Sequence, residues 1–345
     1  MFRFLKTLLS AILLPLLVAS CVTSEDFADT HTGNFEALWQ TIDEHYCFFD
    51  YKNKEYGLNW NEVYQRYKPQ ISDDMSMDAL FQVLSNMTYE LRDGHVNLSC
   101  ASNTSYYTQW YEAYPMNFSD SIFHKYMGTS GDYRSTAGLQ YRVMRGNTGY
   151  IRCSSFEYAI GDGNLHQIMD YLGSCDGLII DVRSNSGGLL TSATKLAGLF
   201  VNEDTTLGYI SHKTGKGHND FSQPQPIVVS PSTGLRWQKP VVVLANRRTY
   251  SAANAFVMFM KGLQQLGNNK VTIMGDTTGG GSGMPFSSEL PEGWSVRFSA
   301  CPMTDVKGQQ TEFGIEPNIF ASITSEDYQK SVDTILKTAI DYLQK

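Results

Sequence analysis

The chain has 345 residues, 42% of them hydrophobic and 18% charged, which supplies a large core and excludes a disordered chain or a disulfide-stapled miniprotein. Against 27 Lys and Arg stand 35 Asp and Glu, a formal charge of -8 without a block of like charges. That balance leaves no electrostatic footprint for nucleic acid, which is not expected as a partner.

Residues 1–21 read as a leader. Arg3 and Lys6 form a positive start, Leu8 to Ala19 is an apolar run interrupted by Pro15, and small residues lead into Cys21. The run is too short to span a bilayer. Leu17-Val18-Ala19-Ser20-Cys21 resembles a bacterial lipobox, so Cys21 is the expected lipidation site. The mature chain is then expected in a bacterial cell envelope, lipid-anchored at the outer membrane, with the periplasmic or surface face left open. Polar residues 22–33 read as a tether.

Residues 34–96 read as a small helical lobe. Phe35, Leu38, Trp39 and Ile42 fall at helical spacing, and Leu80, Phe81, Leu84 and Met87 repeat it. Residues 97–147 form an irregular connector crowded with Tyr106, Tyr107, Trp110, Tyr111, Tyr114 and Phe118. These aromatics either line a groove or pack the connector against the core. From 148 to 345 strands alternate with helices, predicting an α/β core: Leu178 to Val182 and Pro240 to Ala245 read as buried strands, and Ser251 to Leu266 as a helix. Strands are also expected at Val271–Met274 and Trp294–Phe298, and a closing helix at Asp327–Leu343.

Cysteines 47, 100, 153, 175 and 301 lack C-x-x-C spacing, so neither a zinc site nor a full disulfide framework is suggested. No metal and no other cofactor is called for, although a single bridge stays open.

Two loops of the core carry chemistry. Asp181-Val182-Arg183-Ser184-Asn185-Ser186-Gly187-Gly188 follows a buried strand and precedes a helix, where sites of open α/β sheets form. Its paired glycines can turn backbone N–H groups outward, as an oxyanion requires. The second, Asn246 to Asn254, places Ser251 at a sharp strand-to-helix corner; a serine there is either a helix cap or a nucleophile.

These segments together resemble the S41 family of serine peptidases, the carboxyl-terminal processing and tricorn-type proteases. The resemblance runs through Leu91-Arg92-Asp93-Gly94-His95-Val96, the Asp181 to Gly188 run, Thr249-Tyr250-Ser251-Ala252-Ala253, Gly275-Asp276-Thr277-Thr278-Gly279-Gly280-Gly281 and Gly314-Ile315-Glu316-Pro317-Asn318. It implies a crotonase-like α/β core behind the helical lobe. It also implies serine endopeptidase activity on envelope or extracellular polypeptides, with Ser251 as nucleophile. Processing-type members use a lysine in a G-K-G motif, but no lysine occurs between Lys270 and Lys307, and His95 stands where tricorn-type members keep their base. Imidazole suits that task at neutral pH.

The resemblance further implies an oxyanion hole from Gly188 and Ala252 and an orienting carboxylate at Glu312, with Asp93 as the other candidate. Asp181, Arg183, Asn185 and Gly187 are candidate supporting residues. Two positions depart from the tricorn pattern: Gly94 replaces a serine before the histidine, and Asn254 replaces an acidic residue. The interval from His95 to Thr148 is too short for the PDZ module many members carry. The aromatic connector could instead roof the site, with Gly279 to Gly283 either a mobile flap or a tight turn beside the oxyanion loop. A non-proteolytic envelope binding module, or an ester or amide hydrolase, would use the same scaffold.

Overall fold

The protein is described by a computed structural model over residues 27–345. The leader with Cys21, and residues 22–26 of the tether, lie outside the described residues. The first helix, His31–His45, starts inside the stretch read as a tether, because the Thr30 side chain accepts the Gly33 N–H and caps it. Three more helices complete the lobe, Phe49–Tyr56, Trp60–Tyr67 and Met77–Tyr89. Phe35, Leu38, Ile42, Leu80, Leu84 and Met87 are fully buried, each contributing about 2 kcal/mol of transfer free energy.

That apolar stripe packs against a strand more than two hundred residues away in sequence. Trp294–Thr304 places Trp294, Val296 and Phe298 in the same cluster as the lobe helices. It is longer than the expected Trp294–Phe298 and organises a six-stranded antiparallel sheet with Thr104–Tyr106, Asn97–Ser99, Thr205–Ile210, Gln225–Val229 and Gly283–Leu290. The last three were not legible from period; Gln225–Val229, for example, reads exposed, exposed, buried, exposed, buried.

The second sheet runs in the order Ile319–Phe320, Val271–Gly275, Val241–Ala245, Gly177–Asp181, Thr148–Cys153, Leu139–Met144, Arg134–Thr136. The first five are parallel and the last two antiparallel. The connector boundary at 147 therefore cuts a hairpin: Met144 pairs with Thr148 across a turn in which Gly146 and Asn147 take φ of 68° and 50°. Helices Asp162–Leu172, Leu190–Ala197 and Ala252–Gln265 cover one face, and Thr334–Leu343 covers the other. The closing helix is broken where Ser331 turns to φ 56° and Asp333 caps a new start.

Parallel alignment brings the carboxyl ends of Gly177–Asp181, Val241–Ala245 and Val271–Gly275 to one edge. All fifteen residues of these strands are buried, so a site at this edge has to be built from the loops beyond them.

Candidate active site

Ser251 leaves the strand Val241–Ala245 and precedes the helix Ala252–Gln265 with φ 56° and ψ -124°, a backbone state costing a non-glycine residue about 1–3 kcal/mol. The surroundings over-determine it. Ser251 N–H donates to Gly280 O at 2.9 Å, Tyr250 N–H to Asn185 O at 3.0 Å, and Ala255 N–H to Ser251 O at 2.9 Å. The Ser251 side chain makes no capping bond, so the helix-cap alternative fails. Its Oγ instead lies 3.0 Å from His95 Nε2.

His95 sits just beyond the helix Met77–Tyr89, its N–H fixed by Asp93 Oδ1 at 2.8 Å. The ring packs against Tyr250 at 4.9 Å between centroids, and Trp110 stacks on Tyr250 at 4.1 Å with planes 22° apart. The connector thus contributes a roof through Trp110. A Cβ at Gly94 would come within 2.5 Å of Trp110 Nε1 and 2.9 Å of Tyr250 Oη, so the roof occupies the room a serine before the histidine would need. Burial lowers the His95 pKa to about 4; the Asp93 charge opposes this, while Arg297 and Lys52 add to it. The imidazole is therefore neutral at neutral pH, and Nε2 can take the serine proton.

The expected orienting carboxylate does not reach the base. Glu312 Oε2 accepts the Ser282 N–H at 2.9 Å and Oε1 faces Lys52 Nζ at 3.3 Å; neither oxygen bonds to His95. Glu312 is held by the Ser282 N–H and Lys52 instead, and His95 Nδ1 is left buried with no protein partner. Asp93 is the carboxylate whose field His95 feels. Asp93 accepts from Tyr46 Oη at 2.9 Å and Ser299 Oγ at 2.8 Å, with Lys52 Nζ 3.8 Å away.

Lys52 was not singled out by motif. Wholly buried, it donates to Leu91 O at 2.7 Å and Arg92 O at 3.1 Å and stands between the two carboxyls. Burial, reinforced by the Asp93 charge, raises Glu312 to about 8 against the pull of Lys52. Burial opposes ionisation of Asp93 as well, but Lys52, His95 and the bonds from His95 N–H and Ser299 hold it below the ordinary range. One buried cation therefore matches one buried anion, and Glu312 keeps its proton at neutral pH. A lysine flanked by Phe48, Phe49 and Tyr51 was the available signal: its Nζ lies 5.9 Å from the Phe48 ring centroid.

The glycine loop abuts Ser251. A Cβ on Gly187 would lie 2.7 Å from Ser251 Cβ and 3.0 Å from Ala252 N, at a φ of 107° that favours glycine. Asn185 holds this loop, its Oδ1 accepting Gly187 N–H at 2.8 Å and its Nδ2 donating to Cys153 O at 3.0 Å. Phe156 N–H donates to Gly187 O and Leu189 N–H to Phe156 O, a bridge that leaves the Gly188 N–H unused. The Ala252 N–H belongs to the first helical turn, which has no intrahelical acceptor for it. These are the two donors expected of an oxyanion hole.

Asp181 and Arg183 are buried in the scaffold behind the loop. Arg183 is fully buried, paired to Asp181 at 2.7 Å and Asp333 at 2.8 Å, and Tyr150 Oη donates to Asp181 at 2.8 Å. This ion network anchors the glycine loop to the closing helix. Gly279 to Gly281 are not a flap: Gly279 N–H donates to Thr249 O at 2.8 Å, Gly281 N–H to Glu312 O at 3.0 Å, and Tyr250 bridges Gly280 as a strand would. Asn254, where an acid was expected, accepts from Thr278 Oγ1 and donates to Thr311, tying the nucleophile helix to both neighbouring loops. Cysteines 47, 100, 153, 175 and 301 are free, and no group of three or more His, Cys, Asp or Glu among the described residues could hold a metal ion.

The model of Peptidase family S41 matches residues 147–321, and that of the Tricorn protease C1 domain matches residues 27–88. The chain is 26% identical over 197 residues to the carboxy-terminal processing protease CtpA of Bacillus subtilis, covering 55% of this chain and 38% of that protein. To the carboxyl-terminal-processing protease of Synechocystis it is 27% identical over 204 residues, 55% of this chain and 44% of that one. It thus spans less than half the length of these curated relatives. A solved candidate peptidase from Parabacteroides merdae is 46% identical, with TM-score 0.85 over 92% of this chain and 97% of that one. Mature CPAF complexed with lactacystin shares the fold, with TM-score 0.66 at 13% identity over 92% and 97% of the two chains.

Proposed function

The chain belongs to peptidase family S41 and has its crotonase-like α/β core, and we propose from this that it is a serine peptidase cutting polypeptides through an acyl-enzyme. The observation that carries the reading is the 3.0 Å approach of Ser251 Oγ to His95 Nε2 on a strained strand-to-helix corner. Ser251 Oγ attacks the scissile carbonyl carbon while its proton passes to Nε2. The oxyanion is received by the N–H groups of Gly188 and Ala252. Collapse breaks the C–N bond, His95 returns the proton to the leaving amine, and a water activated by the same nitrogen then releases the acyl group.

Asp93 supports this cycle as a fixed negative charge that stabilises the transient imidazolium, and the protonated Glu312 reaches it only through Lys52. A lysine base is disfavoured because Lys52 spends its protons on two carbonyls and the carboxyl pair. The lipobox-like segment ending at Cys21 supports a lipid-anchored protein of the bacterial envelope, acting on polypeptides there.

The reading is tested by intact-mass detection of fluorophosphonate labelling on protein lacking residues 1–21. A single adduct on wild type, absent from Ser251→Ala and His95→Ala, is expected. A folded wild-type protein that takes no adduct overturns the preassembled nucleophile. Incorporation of a labelled fatty acid into the full chain, lost in Cys21→Ala, tests the anchor.

A further inference from the structure

Three arginines beside this site have no carboxylate partner. Arg92 lies three residues before the base, and Arg247 and Arg248 lie four and three before the nucleophile. Each guanidinium is stacked on a tyrosine: Arg92 on Tyr56 at 4.3 Å, Arg247 on Tyr114 at 3.8 Å and Arg248 on Tyr111 at 4.4 Å. Among the described residues none of the three forms an ion pair, and Arg247 Nε is buried without an acceptor. In a chain with eight more acidic than basic residues, cations left unpaired next to a catalytic centre are not a consequence of bulk charge.

Arg248 and Arg247 stack on tyrosines of the short helix Gln109–Glu112 and its C-terminal flank, and Arg92, on the lobe side, shares a groove with Tyr107, Gln109 and Tyr114 of the same segment. Tyr111 touches Trp110, which covers Tyr250, at 4.7 Å between rings, and Tyr107 packs on Tyr89 at 4.8 Å. Arg92 and Tyr114 both line a groove of about 900 Å³ that opens between the helical lobe and the connector. Two glutamates line this groove beside Arg66 and Arg92: Glu90 is ion-paired with Arg66, and Glu62 accepts a hydrogen bond from Asn59. Arg92 itself is exposed and holds φ 47°, a left-handed state uncommon for a non-glycine residue. Stacking on tyrosine preorganises a guanidinium while leaving its in-plane donors free for a bidentate acceptor.

We propose that Arg92, Arg247 and Arg248 form a carboxylate-binding rim, so that the polypeptides taken by this site are those carrying acidic groups within a few residues of the bond to be cut. The proposal rests on the serine peptidase reading and names its substrate class. The carboxylate can belong to an Asp or Glu side chain or to the end of the substrate chain, and both present the same planar acceptor to the fork of an arginine. Aromatic faces between the arginines supply contact for the intervening residues.

The test is an equilibrium one, so it does not depend on turnover. Ser251→Ala protein is titrated against fluorescein-labelled unstructured peptides in which the acidic positions are all Glu or all Gln, each made with a free and an amidated C-terminus. The Glu peptide is expected to bind about tenfold more tightly than its Gln counterpart, the size of one charge-assisted contact, with the difference shrinking as salt is raised. If the chain end is the source, the free acid is favoured over the amide in the Gln pair. The preference is expected to vanish in Arg92→Gln/Arg247→Gln/Arg248→Gln. Should that variant melt early or lose its near-ultraviolet dichroism, Arg92→Gln alone, at the exposed position, is expected to reduce the preference severalfold. Equal binding of Glu and Gln peptides and of acid and amide ends, including no measurable binding of any, overturns the proposal, as does a preference that survives removal of the arginines. Fluorophosphonate labelling of wild type reports the nucleophile separately, so an intact label with no acidic preference refutes the rim alone.

Discussion

Lys52, from the second helix of the lobe, stands 3.3 Å from Glu312, which follows the last long strand of the core, and neither side chain is more than 2% exposed. With Asp93 3.8 Å from the same Nζ, the charge balance of the site is held across the junction of two parts of the chain 260 residues apart. His95 is therefore positioned by lobe and core together, and its pairing with Ser251 exists only once the two have docked.

Removing that cation leaves Asp93 buried and uncompensated. Lys52→Met is expected to cost about 3–5 kcal/mol in urea unfolding and to abolish fluorophosphonate labelling. Lys52→Arg should recover little, since a planar fork cannot donate to Leu91 O, Arg92 O and both carboxyls from one point. A variant with wild-type stability and labelling would remove Lys52 from the account.

Strain at the nucleophile predicts a trade of activity against stability. Ser251→Gly should take no label and yet be more stable by about 1 kcal/mol, because glycine enters φ 56° without steric cost. The urea midpoint of the two proteins measures it, and a less stable glycine variant contradicts the strain argument.

The two buried titrating groups act in opposite directions. His95 has its pKa lowered to about 4 from 6.5, so the unfolded chain binds its proton more readily and stability falls as pH drops from about 6.5 towards 4. Labelling should persist through that window and decline only as pH approaches about 4. Glu312 is raised to about 8 from 4.5, so its contribution is complete below about 4.5 and is lost as pH rises towards about 8. In Glu312→Gln that loss should disappear, which removes the slope between about pH 6.5 and 8 and leaves the His95 limb unopposed below it. An unchanged slope between about pH 6.5 and 8 would mean that another group titrates there.

The glycines of the Gly279 to Gly281 segment are expected to be intolerant in proportion to what a Cβ would meet. At Gly280 it would lie 1.7 Å from Glu312 O, so Gly280→Ala should cost about 3 kcal/mol and displace Ser251, whose N–H donates to Gly280 O. Gly293 has a similar positive φ of 71° but open space around it, and Gly293→Ala should cost only about 1 kcal/mol with labelling retained. Thermal melts of the pair separate backbone strain from collision.

Much of the site was legible as ordered local signals. The buried strands, the paired Gly187 and Gly188 and Ser251 at a strand-to-helix corner each depend on a few neighbouring residues, His95 came from the S41 resemblance, and the structure brings these four together. The paired strands Thr205–Ile210 and Gln225–Val229 were missed because a half-exposed antiparallel pair needs its partner to reveal which face is covered. Gly279 to Gly283 offered two readings, and the hydrogen bonds from Gly279 N–H to Thr249 O and from Gly281 N–H to Glu312 O pin its first half.

The sequence by itself determined the α/β alternation and the helical lobe, because periodicity and turn chemistry are local properties of the chain, and its resemblance to S41 peptidases pointed to Ser251 and His95 as the candidate nucleophile and base. Only the tertiary structure decided which carboxylate His95 senses, that Lys52 is buried between Asp93 and Glu312, and that Trp110 fills the space a serine at position 94 would use. The physical reason is that a charge's effect depends on its distance from other charges and on the water taken away from it. Both are fixed by contacts between segments far apart in the chain, which no local pattern encodes.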